Sequence, residues 1–305
     1  MFKDLKDFSS NSILEYDICI VGSGPAGISV AKQLLDTDYR IAILESGGLD
    51  PEAEYQELNK GKNSGPSCLS LDSSRLRCFG GAGKLWAGHC APFKKDEFNK
   101  KPFISLSGWP ISFSDLKTYY KQAAKMLGIS YEKFYDKSFL GNTFIEKSFK
   151  EFNRDNSFIS ANVLQYSSAD NRDLAEKYRM DFESSKNTDV IFHSTVTQLN
   201  LTNNAKDVDS VSIADLNGNK AIIKAKIFVL ACGALENPRI LLMSNKTYKK
   251  AIGNSSGFVG ACFMSHPGLG PVAQVHKTSS EECISYDKKN NSYSVFFEVS
   301  SNERS

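Results

Sequence analysis

Residues 17–48 read DICIVGSGPAGISVAKQLLDTDYRIAILESGG. The run from Tyr16 to Val21 is short and apolar, as a buried strand requires. GSGPAG then turns the chain. From Ile28 to Leu35 apolar residues recur at helical spacing, and Arg40 to Leu44 forms a second strand-like run. Strand, glycine turn, helix and strand in that order imply a parallel pair with a right-handed crossover.

Gly22, Gly24 and Gly27 make a GxGxxG turn between strand and helix. The first glycine permits the tight turn, the second lets backbone approach a pyrophosphate, and the third lets helix and strand pack closely. The helix tip offers N–H groups without intrahelical partners and the positive end of the helix dipole. Glu45, closing the second strand, is placed to accept hydrogen bonds from ribose hydroxyls. A structural turn beside a surface glutamate is the plainer alternative, and the four-part context weighs against it. NAD and FAD share the adenosine diphosphate that such a unit holds, so both remain open at this point.

Outward from this unit, the 305 residues are enough for about two domains. Lys and Arg number 37 against 35 Asp and Glu, which gives no reason to expect a polyanionic partner. The N-terminal MFKDLKDFSSNSILEYD lacks the apolar core of a signal peptide, and no apolar run approaches membrane-spanning length. A cytoplasmic protein without a membrane span is the expectation. The cysteines number seven and form no CxxC pair, so neither a disulfide framework nor a metal site is expected. Cys19 and Cys232 lie in apolar runs and read as small buried residues.

From Ser46 to Lys94 the chain is rich in Gly, Ser and Pro and carries FGGAG and WAGHCAPF. A loop region of this length inside a domain is usually functional or disordered, and its embedded Phe79 and Trp86 argue for order. SFSDLKTYYKQAAKMLG predicts a helix with Ser114 as N-cap and Gly128 as its close. Strands are expected from Asp189, with a hairpin turn at Asn217-Gly218, then at Ile227–Ala231, and in the tail SYSVFFEVS. A helix is expected over roughly Glu236–Ser244.

The blocks LESGG, RLRCFGGAGKLWAGHCAPFKKDEF, GWPISFSDLKTYYKQAAKMLGI, AKIFVLACGALENPRILLMSN and GFVGACFMSHPG resemble, in order, those of the glucose–methanol–choline (GMC) oxidoreductases. KLWAG and APFKKDEF are most similar to the branch of sugar dehydrogenases and pyranose oxidases. The resemblance runs from about Tyr16 to Pro267. It implies an α/β fold with a Rossmann-like FAD-binding domain at 12–95 and 187–262, and a partly helical cap at 96–186. An incomplete α+β substrate domain would begin at 263–305. Gly22, Ser23, Gly24 and Gly27 would then hold the pyrophosphate and Glu45 the adenosine ribose. Gly80, Gly81, Gly83, Lys84 and Trp86 would lie along the flavin or its ribityl chain. Val196 would meet the adenine through its backbone, and Ala231, Cys232 and Gly233 would close over the nucleotide. Trp86 reads equally as a core aromatic, whereas for Gly80–Gly83 a surface loop is the lesser alternative.

The function implied is FAD-dependent oxidation of a CH–OH group in an alcohol or sugar, with hydride passing to flavin N5. Some relatives attach the flavin through a histidine where this chain has Leu85, so non-covalent FAD is expected. The family's catalytic histidine and its histidine or asparagine partner lie in a C-terminal segment that this chain is expected to lack. His89, His193, His266 and His276 read as structural or surface residues, and the catalytic residues stay unassigned. The chain would be an N-terminal portion, truncated or one half of a split enzyme with a complementary C-terminal polypeptide. A non-catalytic flavin-binding module and an NAD-dependent dehydrogenase are the alternatives.

Overall fold

The computed structural model describes residues 1–65, 70–135, 159–204, 206–244, 252–264 and 293–299. His266, His276, Cys68 and Cys283 lie outside the described residues, as do 136–158 of the expected cap and most of 263–305. The chain divides into two compact units. One comprises Met1–Leu85 and Asp173–His266, the other Trp86–Arg172 and Pro267–Ser305.

The first unit is built on a parallel sheet. Its strands are β1 (Phe2–Asp4), β3 (Ile18–Val21), β4 (Ile41–Leu44), β7 (Thr188–Phe192) and β11 (Ile227–Leu230), in the order β1-β7-β4-β3-β11. The sequences ICIV of β3 and IAIL of β4 are apolar throughout because both strands are buried on both faces. The crossover from β3 to β4 runs through α1 (Pro25–Lys32), whose N1 proline needs no hydrogen-bond acceptor. The parallel pair expected from residues 17–48 is therefore present, with Ile18 opposite Ile41 and Val21 opposite Leu44.

A second sheet of this unit, β2-β10-β9-β8, contains β2 (Ser12–Glu15), β8 (Thr195–Leu201), β9 (Val208–Ala214) and β10 (Lys220–Lys224). The expected hairpin joins β9 to β10, with Gly218 at φ +89° and the Asp215 N–H donating to the Asn219 carbonyl at 3.1 Å. Residues of both sheets share one core, including Cys19, Val21, Leu44, Ile191, Val211, Ile213 and Ile223. Each fully buried Ile, Leu or Val contributes about 1.5–3 kcal/mol. Phe79 is fully buried and packs edge-on against Phe2, Phe182 and Phe192. It anchors the loop region after β4, as the aromatic content of that stretch predicted. Among the described residues no helix is long and apolar enough to cross a membrane.

In the second unit, β5 (His89–Cys90), β6 (Ile159–Tyr166) and β12 (Tyr293–Val299) form an antiparallel sheet. The strand expected in the tail is thus present and pairs with β6. The expected helix is α2 (Phe113–Met126), but its N-cap is Ser112 rather than Ser114. Ser112 accepts from the Asp115 N–H while Asp115 reaches back to the Ser112 N–H. The capping box selects Ser112, so Phe113 is already the first residue of the helix.

Candidate nucleotide site

A cavity of about 520 Å³ opens in the first unit above the C-terminal ends of β3, β4 and β11. That volume is in the range of small-molecule and cofactor sites. Its walls include the turn of Gly22, Gly24, Pro25 and Ala26; the end of β4 with Leu44, Glu45 and Ser46; the loop segments Ser74–Arg77 and Gly81–Ala82; the start of β8 with Ser194, Thr195 and Val196; and the segment Ala231–Glu236, which enters α3 (Gly233–Met243).

Each glycine of the turn has its own reason. Gly22 sits at φ +100°, and a Cβ there would come within 2.8 Å of the Ala231 carbonyl oxygen. A Cβ on Gly27 would fall 1.9 Å from the Gly22 carbonyl oxygen, so only glycine lets α1 pack onto the turn. A Cβ on Gly24 would meet nothing within 4 Å. Gly24 is therefore spared a side chain by the open space in front of it, which is what a ligand pressed against backbone needs. It is also the N-cap of α1, so the first N–H groups of that helix face the same space.

Glu45 is buried, 6% exposed, and turned towards the turn. Its carboxylate accepts from the Ser23 N–H at 3.2 Å, the Ser23 hydroxyl at 2.5 Å and the Gly47 N–H at 3.0 Å. Burial raises its proton affinity, against the lowering effect of these donors and of Arg77. A carboxylate raised in the folded state contributes its full stability below the unfolded value of about 4.3, and loses it as pH rises through the native value. We expect the stability of the nucleotide-free protein, relative to Glu45→Gln, to fall as pH rises above the unfolded value of about 4.3. Urea titrations upward from that pH check this, and a flat difference would contradict it.

The residues expected at the site fall into four groups. Gly22, Gly24, Glu45, Gly81, Val196, Ala231, Cys232 and Gly233 all line the cavity. Ser23 and Gly27 stand behind its wall, Ser23 orienting Glu45 and Gly27 admitting the helix. Gly80, Gly83 and Lys84 lie beside it. A Cβ on Gly83 would press on the Pro25 ring at 2.9 Å, and Lys84 pairs with Asp173 at 3.2 Å. Trp86 belongs to the second unit, half-buried, its indole N–H donating to the Arg172 carbonyl at 3.0 Å. Cys19 is fully buried, whereas Cys232 is half-buried and lines the cavity. Burial, Glu45 and Glu236 push the Cys232 thiol up to about 12, so it stays protonated and unreactive near neutrality.

Two of the four histidines are described. His193 lies between β7 and β8 with a left-handed backbone, φ 53°. Its ring bridges Asp4 at 2.7 Å and Glu52 at 3.0 Å and stacks near Tyr55. His89 is exposed and packs edge-on against Tyr166. Neither lines the cavity. Among the described residues no cluster of His, Cys, Asp and Glu could hold a metal ion.

Four charged residues of the wall were not foreseen. Arg75, Arg77 and Arg239 converge on Glu236. Arg77 also donates to Ser46 Oγ at 3.0 Å, and Ser46 Oγ lies 2.7 Å from Thr195 Oγ1, so one guanidinium ties three walls together. Their signal was RLR directly before FGGAG, and ENPR at the opening of α3.

The family model for GMC oxidoreductase matches residues 106–268, just over half of the chain. The 2-methyl-1,2-propanediol dehydrogenase of Mycolicibacterium austroafricanum is 25% identical over 320 residues, covering 87% of this chain and 57% of its own. The glucose dehydrogenase (FAD, quinone) of Drosophila melanogaster is 23% identical over 284 residues, covering 78% of this chain and 44% of its own. The crystal structure of pyridoxine 4-oxidase from Mesorbium loti is similar at a TM-score of 0.49 and 19% identity, covering 74% of this chain and 51% of that one. The chain spans about half the length of the curated relatives it matches.

Proposed function

The chain belongs to the GMC oxidoreductase family, and from that premise we propose that it is an FAD-dependent oxidoreductase acting on the CH–OH group of an alcohol or sugar. The observation that carries this reading is the convergence of the glycine turn, Glu45 and the Ala231–Gly233 segment on one cavity. FAD, when bound, supplies the acceptor for a hydride from the substrate carbon. The chain's own residues bind and orient it. Glu45 accepts the ribose hydroxyls of the adenosine. Gly22, Gly24 and the first turn of α1 receive the pyrophosphate. Val196 borders the adenine, and Ala231, Cys232 and Gly233 border the nucleotide from the returning strand. Gly80, Gly81, Gly83 and Lys84 continue towards the ribityl chain and flavin.

The relatives' names, a diol dehydrogenase and a glucose dehydrogenase, support an alcohol or sugar as the substrate class. The antiparallel sheet of β12, β6 and β5 belongs to the substrate side in this reading. Leu85, a hydrocarbon side chain 52% exposed, has no nitrogen with which to link a flavin. The flavin is therefore held without a covalent bond. Acid precipitation of FAD-loaded protein should leave the yellow colour in the supernatant, and colour retained in the pellet would refute this.

One observation favours a second reading, a flavin-binding module without catalysis. Both described histidines are engaged away from the cavity, His193 between two carboxylates and His89 on Tyr166. Loading the full chain with FAD and adding alcohols or sugars anaerobically separates the two. Bleaching of the flavin absorbance supports the oxidoreductase. A stable spectrum supports the module, and failure to take up FAD at all rejects both.

A further inference from the structure

The cavity wall carries a charge imbalance that the glycine turn and Glu45 do not explain. Glu236, 9% exposed, accepts from Arg75, from Arg77 at 3.1 Å and from Arg239 at 2.6 Å. All four side chains line the same cavity as Gly22, Gly24 and Pro25. Three guanidinium groups share one carboxylate there, which leaves two positive charges in excess. Poorly solvated charge of one sign is costly without a counter-charge. Glu45, the other carboxylate of the wall, offsets at most one of these charges.

The three arginines are not equivalent. Arg75 also donates to the carbonyls of Leu71 and Asn59. Arg77 donates to Asn59 Oδ1 at 2.8 Å and Ser46 Oγ at 3.0 Å. Both are held within the wall. Arg239 donates through Nε to Glu236, and its Nη1 meets the Met243 sulfur at 3.3 Å, a weak acceptor. Its side chain is 45% exposed. It is the guanidinium with donors to spare for a ligand.

We propose that Arg239, backed by Arg75 and Arg77, neutralises the diphosphate of the bound nucleotide. The inference rests on the flavin-nucleotide reading of this cavity and assigns it a specificity residue: a wall with three guanidinium groups against two carboxylates is net positive, as recognition of a dianionic diphosphate requires. Guanidinium suits this role through its planar donor fork.

The test is calorimetric titration of the full chain with ADP, adenosine and FAD at low and high KCl. The wild-type affinity for ADP should fall as KCl rises, while that for adenosine stays level. Arg239→Gln should weaken ADP and FAD by about 10- to 100-fold, the value of a charge-assisted hydrogen bond. It should leave adenosine unchanged and flatten the salt dependence. Arg239→Lys should recover part of the loss. The inference is overturned if Arg239→Gln binds ADP as tightly as wild type, or if adenosine weakens as much as ADP. A salt-independent wild-type affinity for ADP overturns it without recourse to any variant. Wild-type protein that binds neither ADP nor FAD overturns the nucleotide reading itself, a distinguishable outcome.

Discussion

Gly27→Ala should leave little folded protein, whereas Gly24→Ala should fold normally and fail to hold the nucleotide. The two positions are three residues apart, yet their surroundings are opposite. An alanine methyl at Gly27 would overlap the Gly22 carbonyl oxygen at 1.9 Å and approach Ile20 at 3.4 Å. The obstacle is backbone, so relief requires α1 to lift off β3 or the turn to unwind. Overpacking of this kind costs about 1–3 kcal/mol and occasionally more. A rigid backbone oxygen puts this site at the upper end, a large share of the ~5–15 kcal/mol that keeps a domain folded. At Gly24 the same methyl would meet nothing within 4 Å, and the backbone at φ −68° suits alanine. Its methyl would occupy the space through which the helix tip reaches a phosphate. Urea unfolding of the apoproteins together with FAD titration separates the two effects. Equal stability of Gly27→Ala and wild type would contradict the packing argument. Undiminished FAD affinity of Gly24→Ala would contradict the placement of the ligand.

The second large effect is expected at Glu236. Its replacement by alanine leaves Arg75, Arg77 and Arg239 facing one another without their shared carboxylate. Breaking a buried ion pair from one side costs about 3–5 kcal/mol, and the half-exposed Arg239 contributes the smallest part because water screens it. The effect has a pH signature. Burial by itself would raise Glu236, but the hydrogen bond from Arg239 and the charges of Arg77, Arg239 and Arg75 hold it below the ordinary glutamate value. A depressed carboxylate contributes stability that is present above the unfolded value of about 4.3 and lost as pH falls through the native one. Wild type and Glu236→Ala should therefore differ most near neutrality and converge in acid. This is the reverse of the trend expected for Glu45. Urea midpoints between about pH 3 and pH 7 report it, and a pH-independent gap would show that the carboxylate's charge is not what holds the cluster.

The contrast between Glu45 and Glu236 also marks what could be read from the chain in advance. Glu45 was legible because it belongs to a local pattern, a strand-turn-helix-strand of contiguous residues with an acidic end. The same locality made β3, α1, β4 and the Asn217-Gly218 turn readable. Glu236 was not legible as a charge centre, since its partners Arg75 and Arg77 lie far away in the chain and only the sheet brings them together. Strand β1, three residues long, carries no periodicity that could reveal it, and its pairing with β7 is wholly tertiary. Ser112 and Ser114 are both serines at the helix start, and only the hydrogen bonds with Asp115 single out Ser112 as the cap.

The order β1-β7-β4-β3-β11 has a consequence for biosynthesis. Phe2 pairs with Val190 and Ile18 with Ile227. Strand β1 and the outer edge of β3 thus wait for partners made roughly two hundred residues later. Such long loop closures slow folding and keep apolar strands exposed in the interval. Until Phe192 has emerged, only β3 and β4 of this sheet have each other to pair with, and that interval is when chaperones have most to shield.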